Sequence, residues 1–243
     1  MLGNISMETK ELFREDGYLK SCQAVVIDVD SHNVIVDQTV FYPEGGGQPG
    51  DTGVLIRENG EELSIRDTQK DEAKGEHYHV ITDAAALPNI GESILLKIDW
   101  PRRHRLMRMH SCLHMLCGIV PAAVTGGSIQ DGRGRLDFDL PEPIDKEAIA
   151  SDLQVMIDSD RPMTLSWISD DELAMQPDLV RTMSVKPPTG VGSIRLVRFD
   201  GIDLQPCGGT HVKSTKEIGL VRIRKIEKKG KRNRRIIVEL ADE

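Results

Sequence analysis

The sequence predicts an α+β protein with two domains, a small N-terminal β-barrel over residues 1–98 and an α+β domain over residues 99–243. Three observations support this prediction. Short strand-like segments fill the chain up to Ile98, a helical pattern begins abruptly near Asp99, and strands and helices are mixed after it. A length of 243 residues exceeds the usual size of one compact domain and agrees with two.

Short apolar or alternating segments make up the N-terminal part. They are QAVVIDV, NVIVD, GVLIRE, ELSIRD, HYHVI and SILLKID, separated by turn-rich pieces such as DSHN, ENGE and PNIGE. Six strands at this spacing predict a small barrel or a sandwich. His77 and His79 lie two residues apart on one of these strands, and we expect them at the surface.

The pattern changes at Asp99, which can cap a helix whose first turn contains Pro101. Apolar residues then follow at helical spacing until Gly118 and Pro121 end the helix; they are Leu106, Met109, Leu113, Leu116, Cys117 and Val120. The remaining elements are a hairpin from Gly127 to Leu140, a helix from about Asp145 to Asp158, a strand from Met163 to Ile168, a short helix from Asp170 to Val180, the strand SIRLVRF, and a final hairpin LVRIRKIEKKGKRNRRIIVEL.

Composition limits the function classes. The net charge of −8 argues against a general nucleic-acid binder, so basic residues matter only as local patches. No apolar run approaches the roughly 20 residues that span a bilayer, and the N-terminus lacks a secretory pattern, so we expect a cytoplasmic protein. The four cysteines have no disulfide spacing, which favours metal binding for any cysteine chemistry.

The first C-terminal helix carries an H-x-x-x-H motif. His110 and His114 are four residues apart, so their side chains lie on one face, close enough to share an ion. The same face is apolar, with Met109 and Leu113 beside the pair, and a buried histidine needs a hydrogen-bond partner. Two core histidines bonded to backbone carbonyls are therefore the alternative interpretation.

A second motif, PCGGTH, supplies further ligands. Cys207 and His211 would be more than about 10 Å apart in an extended chain. Gly208 and Gly209 can adopt the positive φ values that fold the segment back, so that both side chains face one ion. Cys207 alone could be a buried small side chain, and the glycines an ordinary turn. Histidines and a thiolate together are a zinc ligand set, and the two motifs jointly predict a zinc site.

Two other classes of zinc enzyme do not fit. Ser111, Cys112 and Leu113 separate the histidines, so the Glu of the metalloprotease motif H-E-x-x-H is missing. The deaminase signature requires H-x-E and P-C-x-x-C, and the chain has neither at these positions. Cys112 and Cys117 are more consistent with packing residues than with ligands.

A glycine-rich segment, DQTVFYPEGGGQPGD, follows a strand and contains Gly45, Gly46 and Gly47. It lacks the G-K-[ST] sequence of a phosphate-binding P-loop. The glycines allow a ligand to approach the backbone, whose N–H groups can bind it, although a flexible hairpin loop is an equally good interpretation.

Basic residues concentrate at the start of the first helix and between Lys225 and Arg235, where they form either solvated faces or contacts to phosphates.

Three motifs of this chain resemble those of the editing module of alanyl-tRNA synthetases and its free-standing relatives, the AlaX proteins. They are HSCLHM, CGGTH and TVFYPEGGGQPGD. The resemblance covers nearly the whole chain. It implies hydrolysis of the ester that links a wrong amino acid, chiefly serine and in some cases glycine, to tRNA(Ala). Mischarged tRNA(Ala) is the implied partner, and one Zn²⁺ per chain is the implied cofactor.

Site residues follow from the resemblance and from the basic patches. The implied zinc ligands are His110, His114, Cys207 and His211. The candidate substrate-binding residues are Thr39, Gly45, Gly46, Gly47 and Gln48, with Thr39 and Gln48 as candidates for recognising the serine hydroxyl. The candidate tRNA contacts are Arg102, Arg103, Arg105, Lys228, Lys229, Lys231 and Arg232.

Several alternatives stay open on the sequence alone. If all four ligands bind at once, the zinc ion is structural or positions the substrate; if His211 is loose, a water molecule can take the fourth position. No protein general base is evident beside the ligands. The chain could also be a non-catalytic zinc-stabilised tRNA-binding module, or a metallohydrolase of small esters or amides.

Overall fold

The computed structural model describes residues 8–71, 73–83, 87–180 and 193–241. The chain forms two compact units, the first comprising Met1–Gly45 and Pro49–His104 and the second comprising Gly46–Gln48 and Arg105–Glu243. The division falls inside the first helix, whereas the sequence placed a boundary after Ile98. The predicted α+β class with an N-terminal barrel is confirmed.

The first unit is built on a closed antiparallel barrel. Its strands are β2 (Ser21–Asp30), β3 (Asn33–Val36), β5 (Gly53–Arg57), β6 (Glu62–Asp71), β7 (Glu76–Ile81) and β8 (Ser93–Ile98), paired in the order β2-β3-β7-β6-β5-β8. These are the six predicted strands. Two short strands that were not predicted, β1 (Lys10–Glu11) and β4 (Gln38–Thr39), pair in parallel. Alternate positions fill the barrel with fully buried apolar side chains such as Val34, Leu55 and Leu96.

The prediction that His77 and His79 lie at the surface is wrong. Both side chains are fully buried, because β7 lies between β3 and β6 in the barrel and these alternate residues face inward. Nδ1 of His79 lies 3.1 Å from the carbonyl oxygen of Val34, and Nε2 of His77 lies 3.0 Å from a carboxylate oxygen of Glu11. Burial lowers the pKa of His79 to about 3, so this ring is neutral at physiological pH.

The first helix, α1 (Trp100–Ile119), begins and ends close to its predicted bounds. The Asp99 carboxylate accepts a hydrogen bond from the Arg102 N–H at 3.1 Å, as expected of a cap. Residues 106–117 are all buried, so the polar side chains among them need protein partners. Cys112 and Cys117 are buried packing residues, and burial raises the pKa of Cys112 to about 12.

Two sheets and two further helices complete the second unit. The first sheet contains β9 (Val124–Gln130), β10 (Arg133–Asp139), β14 (Val221–Lys229) and β15 (Asn233–Leu240) in the order β14-β15-β10-β9. The second contains β11 (Met163–Ile168), β12 (Ile194–Phe199) and β13 (Asp203–Pro206), and the helices are α2 (Lys146–Asp158) and α3 (Asp170–Ala174). Both predicted hairpins are present. Strand β13 was not predicted, and the predicted helix from Asp170 to Val180 is α3 followed by a 3-10 turn, Pro177–Leu179.

None of the helices in the described part of the chain combines the length and apolar character that a bilayer-spanning helix requires.

Candidate metal centre

Two parts of the second unit bring the four predicted ligands together. Helix α1 carries His110 and His114, and the loop after β13 carries Cys207 and His211. One ligand atom from each residue lies within 4.8 Å of the others. Sγ of Cys207 is 3.5 Å from Nε2 of His110 and 3.2 Å from Nε2 of His211. We refer to these four residues as the His3Cys cluster.

The His3Cys cluster has the donor atoms and the spacing that a metal ion requires. Tetrahedral zinc, with bonds of about 2.0–2.1 Å to nitrogen and about 2.3 Å to sulfur, separates its ligand atoms by roughly 3.5 Å. The two sulfur–nitrogen distances agree with this spacing. Imidazole nitrogens and a cysteine sulfur are also the ligands that zinc prefers. The four side chains could therefore hold one metal ion together, and His211 is near enough to take part.

A carboxylate orients His114. Nδ1 of His114 lies 2.7 Å from Oδ2 of Asp203, and the Gln205 amide donates a hydrogen bond to the same carboxylate oxygen at 2.8 Å. Because Nδ1 is engaged, Nε2 is the nitrogen of His114 available to the cluster. A carboxylate bonded to the second nitrogen is typical of metal-binding histidines.

The other two imidazoles are also held through Nδ1. Nδ1 of His110 lies 2.9 Å from Oε1 of Gln48, and the Gln48 amide donates to the Thr210 hydroxyl at 2.9 Å. Nδ1 of His211 lies 3.2 Å from Oγ of Ser111. Gln48 thus connects helix α1 with the loop after β13, and each ring of the cluster has a fixed direction.

Sequence reasoning did not assign Asp203, Gln205 or Ser111 a role in the site. A signal for the first two was present in DLQPC, where polar residues occupy alternate positions just before a predicted ligand. In β13 both side chains are buried on one face. Buried polar residues at alternate strand positions beside a ligand indicate that they support the metal site.

Burial and neighbouring side chains set the protonation of the cluster. Burial disfavours the Cys207 thiolate, but His110 and His211 outweigh it and hold the pKa of Cys207 well below its usual value. Burial and the neighbouring His110 hold the pKa of His211 well below its usual value. Burial also acts to lower the pKa of His114, yet Asp203 and Cys207 raise it to about 10. A thiolate and a neutral imidazole are ready to bind metal, whereas binding at His114 is coupled to proton release.

The sequence predicted that the two glycines of PCGGTH fold the segment back through positive φ values. Neither Gly208 nor Gly209 has a positive φ. A Cβ on Gly209 would lie 2.2 Å from Cε1 of His110, whereas a Cβ on Gly208 would meet nothing within 4 Å. Gly209 is needed because its backbone passes directly against the His110 ring. Arg195 fixes this loop by donating hydrogen bonds to the carbonyl oxygens of Cys207, at 2.9 Å, and Gly209.

The Asp203→Asn substitution is expected to weaken zinc binding by about 10–100-fold, the usual cost of losing such an orienting partner. The amide keeps the size of the side chain but removes the charge that fixes His114. Competition with a chromophoric chelator measures the dissociation constant. Asp200→Asn is the matched control, because Asp200 is exposed and paired with Arg198 at the surface. Equal zinc affinity in Asp203→Asn and the wild type would contradict the role given to Asp203.

Two of the predicted substrate-binding residues lie in the first unit. Thr39 is fully buried on β4, where its Oγ1 is 2.8 Å from Nε2 of His79 and accepts a hydrogen bond from the Phe41 N–H at 3.0 Å. The carbonyl oxygen of Gly45 accepts a hydrogen bond from the Tyr42 hydroxyl at 2.8 Å. Both residues therefore have partners within this unit.

The other three belong to the second unit. Gly46 and Gly47 have φ values of 57° and 84°, which glycine adopts without strain. The Gly47 carbonyl oxygen accepts a hydrogen bond from the Ile129 N–H at 2.8 Å, so this turn is tied to β9. Gln48 is fully buried and contacts His110 of the His3Cys cluster, as described above.

The prediction that Arg103 contacts tRNA is wrong. Its side chain is fully buried, and its Nε donates to both carboxylate oxygens of Asp51 at 2.9 Å. Nη2 donates to the carbonyl oxygen of Val40 at 2.7 Å. Arg103 is therefore a structural residue of the first unit.

The remaining basic candidates are more accessible. Arg102 is half-buried and donates to the carbonyl oxygen of Gly50 at 2.8 Å, and Arg105 pairs with Asp131. The exposed candidates are Lys228, Lys229, Lys231 and Arg232. Contacts of all these residues with tRNA stay predictions.

The chain is similar over nearly its full length to alanyl-tRNA editing proteins. It is 34% identical to the alanyl-tRNA editing protein AlaX-M of Saccharolobus solfataricus, over 94% of this chain and 97% of the relative. It is 35% identical to AlaX-M of Methanosarcina acetivorans, over 96% of this chain and 100% of the relative. The chain belongs to the AlaX-M family.

Two families of tRNA synthetase domains also match parts of the chain. Residues 5–102 of this AlaX-M family member match the class II (A) tRNA synthetase family, and residues 194–237 match the second additional domain of threonyl- and alanyl-tRNA synthetases. The latter match includes Asp203, Cys207 and His211. An alanine–tRNA ligase of Sulfurisphaera tokodaii is 34% identical over 90% of this chain, which corresponds to 25% of the ligase.

Proposed function

We propose that the chain is a trans-editing hydrolase that deacylates mischarged tRNA(Ala), chiefly Ser-tRNA(Ala) and also Gly-tRNA(Ala), at a zinc-dependent site. The observation that carries this proposal is full-length similarity to alanyl-tRNA editing proteins in a chain whose His3Cys cluster fits a metal ion. Such an activity is needed because an apolar synthetic pocket rejects an isostere with an added hydroxyl only weakly, so a second site must remove the error.

The chain's own residues prepare the site for ester hydrolysis. His110, His114, Cys207 and His211 would hold the ion, and zinc bound there would supply positive charge that can orient the substrate or polarise a carbonyl oxygen. Because all four residues of the cluster lie near enough to act as ligands, we favour a role in orienting the substrate over activation of a bound water.

The residues around the ligands keep them in place. Gln48, Ser111 and Asp203 fix the three imidazole rings, so little reorganisation is needed when the substrate binds. The Asp203 carboxylate is bonded to His114 and Gln205, which makes it an orienting group rather than a general base. Among the side chains described around the cluster we therefore assign none as the general base.

Serine selectivity is assigned to Thr39 and Gln48, and substrate binding to the glycines from Gly45 to Gly47, on the family resemblance. A site that hydrogen-bonds the serine hydroxyl can discriminate serine from alanine by a large factor. The two side chains differ in their surroundings, because Gln48 contacts a metal ligand and Thr39 is bonded within the barrel unit.

A deacylation assay with purified metal-loaded protein tests the proposal. Ser-tRNA(Ala), Gly-tRNA(Ala) and Ala-tRNA(Ala) are compared at equal concentrations, together with a small seryl ester that lacks RNA. We expect rapid release of serine from the first substrate, slower release of glycine, and little release of alanine. The variant Thr39→Val, beside Thr39→Ser as the variant that keeps the hydroxyl, is expected to reduce the ratio of serine to alanine release.

The same assay separates the two alternatives. Binding of tRNA without hydrolysis of any charged form would identify a non-catalytic binding module. Equal hydrolysis of the small ester and Ser-tRNA(Ala) would identify a metallohydrolase of small esters. Either result would contradict the proposed function.

A further inference from the structure

One face of the sheet β14-β15-β10-β9 is charged. On β15, Ile236 and Val238 are buried on one side, and Arg235 and Glu239 alternate with them on the other. The strand register places Arg133 of β10 and Arg222 of β14 on either side of Glu239. These charged side chains therefore share one face of three neighbouring strands.

Among the described residues of this face, cations outnumber carboxylates. The carboxylates are Asp137, Asp139, Glu227 and Glu239, and the cations paired with them are Arg133, Arg135, Arg222, Arg224, Lys225, Lys229, Arg232 and Arg235. We call this set the cationic sheet face. Eight positive and four negative charges give it a net charge of +4, whereas the whole chain carries −8. The rest of the chain is therefore more strongly acidic than the total indicates, at −12.

The positive charges form the outer layer of the cationic sheet face. The side chains of Arg222 and Lys225 are 68% and 63% exposed, whereas those of their partners Glu239 and Glu227 are only 13% and 22% exposed. Lys225 and Lys229 lower the pKa of Glu227 to about 2, which agrees with an excess of positive charge there. A molecule that approaches this face meets guanidinium and ammonium groups first.

A groove lies at one edge of the face. Its volume is about 730 Å³, and the cations that line it include Arg133, Lys146, Arg222 and Arg224. Arginine presents a planar fork of N–H donors that matches phosphate oxygens. The lining also includes the carboxylates of Asp131 and Glu239, so the groove presents four cations beside two carboxylates and offers several N–H donors for a phosphodiester.

We propose that the cationic sheet face binds the sugar–phosphate backbone of tRNA; this inference rests on the proposed function, which supplies tRNA as the partner. The carrying argument is charge complementarity with the phosphates of RNA, because this face has a net positive charge whereas the rest of the chain has a net negative charge. Binding is mainly electrostatic and independent of base sequence. The face includes Lys229 and Arg232 among the basic residues identified in the sequence, and adds residues from β10 and β15.

A pair of double variants with the same charge change tests the inference. Arg222→Gln/Lys225→Gln removes two charges from the face, and Glu239 and Glu227 keep Arg224 and Lys229 as partners, so neither carboxylate is left unpaired. Arg161→Gln/Lys216→Gln removes one arginine and one lysine charge from exposed positions elsewhere in the second unit. Circular dichroism verifies the fold of both proteins.

Binding of uncharged tRNA(Ala) is measured across a range of salt concentrations, separately from hydrolysis. The face variant is expected to bind about tenfold more weakly near 0.1 M salt. The slope of the logarithm of the binding constant against the logarithm of salt concentration should be shallower by about two, as for two lost phosphate contacts. The control variant should match the wild type. Equal affinities of the face variant and the wild type would overturn the inference, and so would equal weakening of both variants.

The binding and hydrolysis assays together distinguish failure of the proposed editing activity from failure of the inference about the cationic sheet face. If the face variant alone weakens RNA binding but no charged tRNA is hydrolysed, the cationic sheet face stands and the editing activity does not. If Ser-tRNA(Ala) is hydrolysed and the face variant binds tRNA as the wild type does, the editing activity stands and the inference about the face is wrong.

Discussion

Cys207→Ala is expected to abolish stoichiometric metal binding and, with it, serine release from Ser-tRNA(Ala). Cys207 provides the sulfur ligand, and its Sγ lies 3.5 Å and 3.2 Å from nitrogens of His110 and His211. Removing a ligand should cost more than the roughly 10–100-fold in metal affinity that the loss of an outer hydrogen bond costs. Elemental analysis after dialysis measures the metal content, and a serine-release assay on the same sample measures activity.

Cys22→Ala is the matched control for this experiment. Cys22 lies on β2 of the barrel unit and is not one of the four predicted ligands, and burial raises its pKa to about 11, so it is a protonated thiol. The control should keep one metal ion per chain and full activity. Unchanged metal content in Cys207→Ala would show that the cluster does not bind the ion through this sulfur.

Gly209→Ala is expected to disrupt the metal site although it changes no ligand. The added Cβ would lie 2.2 Å from Cε1 and 2.5 Å from Nδ1 of His110, and 2.9 Å from Oε1 of Gln48. Gln48 holds the His110 ring, so either the ring or the loop that carries Cys207 must move. Overpacking of this kind costs about 1–3 kcal/mol. We expect metal content and serine release to fall severalfold or more, together with a lower free energy of unfolding.

Gly208→Ala provides the direct comparison on the neighbouring residue. Its φ is not positive, and an added Cβ would meet no atom within 4 Å, so alanine fits without strain. We expect metal binding and activity close to those of the wild type. Equal behaviour of the two alanine variants would contradict the close packing of Gly209 against His110.

The sequence identified the four residues of the His3Cys cluster, but not the residues that surround them. His110 and His114 follow from helical spacing, and Cys207 and His211 from a short motif, because in each case local geometry suffices. Asp203 could not be assigned, since its role depends on β13 pairing with β12 and thereby facing α1. Gly209 was assigned flexibility, whereas its role is steric and requires knowledge of the ring beside it.

The other differences between the sequence predictions and the structure depend on contacts between residues that are distant in the sequence. His77 was predicted at the surface because a strand read alone does not show which face closes inside a barrel. Arg103 was grouped with its basic neighbours, yet its partner Asp51 is far away in sequence. The cationic sheet face likewise depends on the register between β10 and β15, about one hundred residues apart in the chain. Spacing within one element cannot indicate any of these contacts.

Metal dependence of serine release tests the central claim most directly. The rate of serine release from Ser-tRNA(Ala) is measured for protein with one zinc ion per chain, for the same protein after chelation, and after zinc is restored. A metal site that participates in hydrolysis predicts a rate lower by at least about 100-fold without zinc, comparable to the loss of a principal electrostatic group, and recovery when zinc returns. Unchanged serine release by fully folded, metal-free protein would contradict the account.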